Sequence, residues 1–367
     1  MVASITRSQV LGFRVRAQQL DRAAGDLTDA AVLDIGVQDT GPDGAPWALA
    51  IRGVDTTALS GSELLAGAWT IRGAPHLYRR QDLPLVAAAT TPFSEADAGK
   101  RIFNAAKPLT AAGIGNLEAL DAVASTLRSV VTEPMVKGEV SARLTALMAP
   151  PYLRFCRPCN ATHLYEMPFR LAALPAGLEL EAGTSPPVLR PLPGFEPGAE
   201  FPERLDVVRA YLRLLGPATP THVAGYLDAP VKDVKARWPS DVVEVSVAGE
   251  PAWVLAADED ELDARPVTTT RLLGPFDLFL QARDRSLLVA DKARAKALWP
   301  ALGRPGAVLI DGEIAGLWRP RKSGKRLRVQ VETWGRVSAR VRAAIGEQAE
   351  RLAAFRHAAL SEVDFSG

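Results

Sequence analysis

The chain has 367 residues, 47% of them apolar and 23% charged, and a formal net charge of +1 at pH 7. This length exceeds what one ordinary hydrophobic core holds, so two to four compact units are expected. The near-neutral charge excludes a uniformly basic DNA-coating protein, and two cysteines are too few for a secreted disulfide framework. The sequence has no run of about 18 apolar residues, so no membrane span is predicted.

The first predicted unit, residues 1–92, combines helical patterns with two strand-like pieces that flank a turn at Gly73-Ala74-Pro75. This order is typical of a winged helix-turn-helix. The helical patterns cover residues 7–20, 29–37 and 45–53, and the strand-like pieces cover 68–73 and 76–80.

Three polar residues, Gln38-Asp39-Thr40, follow the second helical pattern and precede a Gly-Pro-Asp-Gly turn. Asp and Thr favour helix ends and turns for hydrogen-bonding reasons alone, so one interpretation is fold support. The other interpretation is that these three side chains form the floor of a small catalytic site, called the catalytic floor below. The local pattern leaves both open.

The second predicted unit, residues 93–181, carries helices at about 95–112, 117–131 and 137–148 and then two short strands. Cys156 and His163 lie in these strands and Cys159 lies between them. The three could supply three ligands of a zinc site, where a structural zinc takes four. The alternative is a plain strand pair in a wing, and neither a metal nor a cofactor is assigned.

A Pro- and Gly-rich connector, residues 182–201, leads to the third predicted unit at 202–264. Three amphipathic helices precede a hairpin that turns at Ala248-Gly249, again the order of a winged helix. Its third helix carries Lys232, Lys235 and Arg237, which form either a solvated face or a DNA-contacting face of a helix in the major groove.

The last predicted unit, residues 265–367, is β-rich and closes with an amphipathic helix at 337–360. Strand patterns include 285–291 and a hairpin that turns at Asp311-Gly312. Six basic residues and no acid occur in 319–328, at a predicted hairpin tip around Ser323-Gly324. Such like charges repel unless solvent or a polyanion relieves them, which favours DNA contact. The residues predicted to bind DNA here are Arg319, Arg321, Lys322, Lys325 and Arg326.

The predicted fold class is α+β, with three tandem winged helix-turn-helix units followed by a small β-rich C-terminal domain with a closing helix. Four segments that span most of the chain resemble the AlkZ/YcaQ-like winged-helix DNA glycosylase family. They are "IRGAPHLYRRQDLP" (71–84), "YLRLLGPATPTHVAGYL" (211–227), "RLLGPFDLFL" (271–280) and "GAVLIDGEIAGLWRPR" (306–321).

The resemblance implies a base-excision enzyme that cuts the N-glycosidic bond of alkylated purines, including bulky and crosslinking adducts. The catalytic motif of that family is Gln-x-Gln or Gln-x-Asp after the second helix of the first winged helix. The matching position here reads Gln38-Asp39-Thr40, so Gln38 is retained, Thr40 departs from either pattern, and Asp39 is the nearest carboxylate.

Arg72, His76 and Arg79 follow within the "IRGAPHLYRR" segment and are predicted to contact a phosphate or the catalytic floor. The other interpretation of His76 is a satisfied imidazole in a tight turn. The resemblance also implies double-stranded DNA as the partner and therefore association with the nucleoid. The lack of a long apolar run and of a signal-peptide core predicts no membrane and a cytoplasmic location. Two alternatives remain: a non-catalytic DNA-binding regulator in which Thr40 marks a lost active site, and a scaffold that binds other proteins.

Overall fold

The structure, a computed structural model, mixes helices and sheets throughout residues 2–55, 59 and 63–366, which are the residues it describes. The outer ends of the predicted units, residues 1 and 367, lie outside this part. The helices are α1 (Arg7–Ala17), α2 (Gly44–Ala50), α3 (Leu83–Thr90), α4 (Glu95–Arg101), α5 (Ala106–Ala111), α6 (Asn116–Val130), α7 (Lys137–Leu147), α8 (Glu166–Ala173), α9 (Val207–Leu215), α10 (Pro220–Leu227), α11 (Val231–Ala236), α12 (Arg285–Leu288), α13 (Lys292–Leu298) and α14 (Ala339–Phe355).

The strands form four sheets in the described part of the chain. The strands are β1 (Ala3–Ile5), β2 (Val37–Gln38), β3 (Leu65–Trp69), β4 (Pro75–Arg79), β5 (Met135–Val136), β6 (Leu153–Cys156), β7 (Ala161–Leu164), β8 (Leu178–Leu180), β9 (Val188–Pro191), β10 (Val242–Val247), β11 (Glu250–Leu255), β12 (Thr270–Leu273), β13 (Gly306–Ile310), β14 (Glu313–Ser323), β15 (Arg326–Thr333) and β16 (Ala359–Ser366). Their orders within the sheets are β2-β4-β3-β8-β9-β5, β12-β13-β14-β15-β16, β1-β10-β11 and β6-β7.

Two of these sheets join distant parts of the chain. β1 pairs in parallel with β10, and the antiparallel pairing of β3 with β8 extends one sheet from residue 37 to residue 191. The division into four units and a connector, with boundaries at 92, 181, 201 and 264, remains a prediction, and hydrogen-bonded strands cross several of these boundaries.

The largest core explains how the first and last parts of the chain meet. It combines Trp47 of α2, Leu212 of α9 and Val331 of β15, all nearly inaccessible to solvent. The Trp47 indole Nε1 donates to the carbonyl of Leu272 at 2.8 Å, which ties α2 to β12. The loop between β2 and α2 is therefore held close to the segment that follows β12.

The local pattern predicted at 202–264 is confirmed element by element: α9, α10 and α11 precede the β10–β11 hairpin. Asp206 accepts from two backbone amides at the start of α9, and Thr219 caps α10. The hairpin turn at Ala248-Gly249 has positive φ at both residues, 52° and 86°, as a two-residue hairpin turn requires.

Several predicted elements are corrected by the structure. Residues 29–37 form a short 3-10 helix, Ala31–Asp34, and then β2, because Gly36 adopts φ +85° and ends the helical path. The pattern at 285–291 contains the short helix α12 and not a strand, and the connector 182–201 contains β9. Beyond α14 the chain adds β16, which pairs in parallel with β15 and was not predicted.

The α+β class is confirmed, whereas the arrangement of three tandem winged helices remains a prediction. Among the described residues, no helix is both long and apolar enough to cross a membrane.

Candidate active site

Gln38 lies at the end of a two-residue strand on the edge of the six-stranded sheet. β2 pairs with β4 so that Gln38 is opposite His76. Gly36 precedes this strand, and a Cβ at that position would lie 2.4 Å from Cζ of Tyr78. Only glycine combines this approach with the positive φ, so the buried Tyr78 ring determines where Gln38 leaves the sheet.

The Gln38 side chain is held by hydrogen bonds on both sides of its amide. Its Nε2 donates to Thr40 Oγ1 at 2.9 Å, and its Oε1 accepts from Gln281 Nε2 at 3.1 Å. Gln281 ends a 3-10 helix, Leu278–Gln281, whose first turn is capped by Asp277. All three side chains are half-buried, so a polar group remains accessible while the amide orientation is restricted.

Arg72 extends this network from the other side. Its Nη2 donates to Gln281 Oε1 at 3.2 Å, and its Nη1 donates to the carbonyl of Tyr226 at the end of α10. The guanidinium lies 4.8 Å above the Tyr226 ring, and Arg72 itself has φ 57° in the turn between β3 and β4. Burial lowers the Arg72 pKa from its usual range.

Asp39 points away from this network. Its Oδ1 accepts from the backbone amide of Ala45 at 3.0 Å, within the first turn of α2. Burial raises the Asp39 pKa above its ordinary value. The helix-supporting contact therefore belongs to Asp39, while Gln38 and Thr40 bond to each other.

Arginines without carboxylate partners surround the Gln281 side of the site. We call Arg72, Arg283, Arg285 and Arg304 the arginine cluster; within the described residues none of the four forms an ion pair with an acidic side chain. Burial, and then the charge of Arg283, lower the pKa values of Arg285 and Arg304. The Arg283 Nε is buried and has no hydrogen-bond partner among the described residues. Uncompensated like charges of this kind make a favourable anion site.

His76 and Arg79 have structural roles, which corrects their predicted contact with DNA. His76 is 1% exposed, and its Nδ1 lies 2.9 Å from the Ala74 carbonyl. Burial lowers the His76 pKa to about 3, so the ring is neutral near pH 7. The Arg79 guanidinium is occupied by Asp34 at 2.6 Å and by backbone carbonyls. Neither side chain is free to reach a phosphate.

The basic side chains predicted on α11 are all exposed. Lys232 and Lys235 project from a helix of six residues, and Arg237 stacks 4.6 Å from the ring of Phe93. The Asp233 carboxylate on the same helix accepts from Ser94 Oγ at 2.7 Å. One side of α11 thus packs on the start of α4, which leaves the two lysines for a partner.

The predicted basic hairpin exists as β14 and β15. Ser323 pairs with Arg326, so the turn residues are Gly324 and Lys325, one position later than predicted. All five predicted side chains, Arg319, Arg321, Lys322, Lys325 and Arg326, are exposed. Arg319 donates to the carbonyl of Gly303 at 2.8 Å, next to Arg304 in the sequence. The hairpin base therefore adjoins the arginine cluster.

Gln281 and the arginine cluster beyond Arg72 were missed by the sequence interpretation. Gln281 and Arg283 stand just beyond the segment 271–280 that carries the resemblance, and polar residues after the apolar run "LFL" were an available signal. Their proximity to Gln38 depends on contacts across 243 residues of chain, which no local pattern contains.

Comparisons with known proteins identify the family and support the fold. The family described as "DNA glycosylase AlkZ-like" matches residues 32–355. The structure is similar to that of Streptomyces sahachiroi DNA glycosylase AlkZ, with a TM-score of 0.70, 22% sequence identity and coverage of 100% of both chains. No curated protein sequence matches the chain. Because the family match covers most of the chain, the protein belongs to the AlkZ-like family of DNA glycosylases.

Proposed function

We propose that this DNA glycosylase hydrolyses the N-glycosidic bond of alkylated purines in duplex DNA, with Gln38 and Thr40 as the water-positioning pair and Gln281 as the residue that orients Gln38. The observation that carries the proposal is the hydrogen-bonded series Thr40, Gln38, Gln281 and Arg72.

Hydrolysis of this bond passes through a sugar with oxocarbenium character, so the site must align a water with the anomeric carbon. The Gln38 carbonyl keeps a second lone pair beside the one used by Gln281, and Thr40 keeps its hydroxyl proton and a lone pair. These groups can orient a water between them. Neither is a strong base, so positioning must supply most of the effect.

This chemistry suits a leaving group that needs little activation. A purine alkylated on a ring nitrogen carries positive charge and departs as a neutral base, which reduces the need for a general acid. The buried His76 is neutral, and the Asp39 carboxylate is occupied at α2.

The arginine cluster and the basic hairpin are proposed to hold the DNA backbone. In the described part of the chain, neither the arginine cluster nor the five predicted side chains of the hairpin form ion pairs with acidic residues, and the two groups adjoin through Gly303 and Arg304. Lys232 and Lys235 on α11, with Arg237 directly after it, form a further proposed contact. Phosphate contacts of this kind position a duplex without reading its sequence, as a lesion enzyme requires.

The test is incubation with duplex DNA that contains N7-methylguanine, followed by alkaline cleavage of abasic sites. We expect Gln38→Ala and Thr40→Ala each to lower the single-turnover rate by about 10² to 10³, a loss typical of a positioned polar group. DNA affinity should change by less than about threefold, because phosphate contacts are retained.

Asp39→Asn is the matched control. The amide oxygen of asparagine can still accept from Ala45, so the helix contact survives while the carboxylate is removed. We expect near-normal activity. A rate loss on Asp39→Asn as large as that on Gln38→Ala would replace the water-positioning proposal with a carboxylate mechanism, and absence of strand breaks on every alkylated duplex would reject the proposed substrate class.

A further inference from the structure

A cluster of metal-ligand side chains lies outside the candidate active site, on the hairpin formed by β6 and β7. Cys156 ends β6, Cys159 lies in the turn, and His163 lies in β7. The ligand atoms of the three side chains all lie within 4.8 Å of one another. The turn reverses through Asn160, with φ 48°, and Cys156 pairs with Ala161 across the strands. The fold therefore gathers two thiols and an imidazole from both arms of one hairpin.

The hydrogen bond of the imidazole leaves one ring nitrogen free to bind a metal. Its Nδ1 lies 2.8 Å from the carbonyl of Leu164, a contact in which the ring nitrogen donates. The lone pair is then on Nε2. In metal-bound histidines, a hydrogen bond donated by the other ring nitrogen fixes the ring in this way.

The β6–β7 hairpin is also an element that a bound cation would stabilise. β6 and β7 form a separate two-stranded sheet of four residues each, and most of their side chains are exposed or half-buried. Two-stranded hairpins are only marginally stable in water. A cation held by both arms would add its binding free energy to the folded hairpin.

We propose that Cys156, Cys159 and His163 bind one zinc-class divalent cation, which clamps the β6–β7 hairpin and leaves its fourth coordination position to water. Sulfur and nitrogen ligands favour zinc among the abundant divalent ions, at bond lengths of about 2.3 Å and 2.0 Å. Tetrahedral sulfur and nitrogen ligands at those lengths are about 3.5–3.8 Å apart. The three ligand atoms therefore need to approach by at most roughly 1 Å, which side-chain rotation at these half-buried and exposed positions supplies. This proposal does not depend on the glycosidase chemistry.

The test uses the full-length, reduced, chelator-treated protein titrated with Co²⁺ under anaerobic conditions and without DNA. We expect one Co²⁺ per chain, a thiolate-to-cobalt charge-transfer band in the near ultraviolet, and loss of both signals when Zn²⁺ is added. Zn²⁺ should also protect the two thiols from a thiol reagent and slow amide hydrogen exchange across residues 153–164.

The variants Cys156→Ser, Cys159→Ser and His163→Gln should each weaken Co²⁺ binding by at least about 100-fold, because a lost ligand costs no less than a lost second-shell partner. His357→Asn is the control, since His357 is exposed, lies far along the chain, and has a positive φ that Asn tolerates. Binding of far less than one Co²⁺ per chain by the wild type, or a band that survives both cysteine substitutions, would overturn the proposal. A circular dichroism spectrum equal to that of the wild type excludes unfolding of a variant as the cause.

Discussion

At the scale of single residues, the site depends on how one amide is oriented. An unconstrained glutamine can rotate its amide and exchange donor for acceptor, so it would hold a water in several arrangements. Gln38 has a donor partner on one side and an acceptor partner on the other. Those two contacts fix which atom of Gln38 presents its lone pair.

Gln281→Ala should therefore impair the reaction without removing the water-positioning pair. We expect a roughly 10-fold to 100-fold lower single-turnover rate and little change in DNA affinity, because Gln281 orients Gln38 and touches no phosphate in this proposal. Gln281→Glu serves as the comparison. Its carboxylate cannot donate to Gln38 Oε1, so this variant should react no faster than Gln281→Ala. Wild-type rates in both variants would show that Gln38 needs no such support.

The burial of His76 predicts a specific dependence of folding stability on pH. Burial lowers its folded pKa to about 3 from the ordinary 6.5, so the unfolded chain binds a proton that the folded chain does not in the interval between these values. The stability that neutral His76 contributes is present above pH 6.5 and is lost as the pH falls towards 3, at up to about 1.4 kcal/mol per pH unit.

Urea unfolding between pH 4.5 and 7 measures this effect. The wild type should lose stability on acidification more steeply than His76→Asn, which has no titrating ring at this position. Equal slopes for the two proteins would mean that His76 gains access to protons in the folded state.

At the scale of elements, the β14–β15 hairpin carries some basic residues that pair with acidic side chains and others that do not. Lys322 and Lys325 are exposed at its tip, whereas Arg328 on the same strand pair bonds Glu362 at 3.0 Å and Asp364 at 3.4 Å. Only side chains without acidic partners are free to displace counterions from DNA.

The double substitution Lys322→Ala and Lys325→Ala should weaken duplex binding and reduce the slope of log affinity against log salt by roughly 1.8, about 0.9 for each lost phosphate contact. Arg328→Ala is the matched control and should leave the slope close to that of the wild type. Equal slopes in all three proteins would remove the hairpin from the DNA-binding surface.

At the scale of the whole molecule, a buried ion pair joins the segment after α2 to the segment that carries Gln281. Arg52 and Asp277 are 1% and 0% exposed at their side chains, with contacts of 2.8 and 2.9 Å between them. Asp277 Oδ1 also accepts from the amide of Phe279 at 3.0 Å. The pair thus connects two distant stretches that form the candidate site.

Removal of one partner leaves a buried charge uncompensated, so Arg52→Met should lower the free energy of unfolding by about 3–5 kcal/mol. Combining it with Asp277→Leu should cost less than the sum of the single substitutions. The exposed pair of Arg143 and Glu139 on α7 provides the control: Arg143→Ala should cost less than about 0.5 kcal/mol. Chemical denaturation measures all four variants, and a small effect of Arg52→Met would mean that water reaches the pair.

Local structure followed from local rules wherever the determining groups are neighbours in the sequence. Helical spacing and the stop at Gly216 predicted α9. The Asp311-Gly312 pair predicted the β13–β14 turn, where the two residues adopt φ 50° and 88°. The same rules failed at residues 29–37, where the buried Tyr78 ring against Gly36 favours a strand over a continued helix. They also missed β16, whose partner strand is separated from it by the whole of α14.

The amino-acid order alone was therefore enough for the α+β class, most helices and hairpins, and the exposed basic hairpin. The family resemblance of the sequence added Gln38 as the candidate catalytic residue. Folding in three dimensions was needed to bring Gln281 to Gln38, to assemble the arginine cluster, and to bury His76 and Arg79. The physical reason is range: propensity, capping and turn chemistry act over a few residues, whereas burial and hydrogen bonding across 243 residues depend on how the completed cores pack.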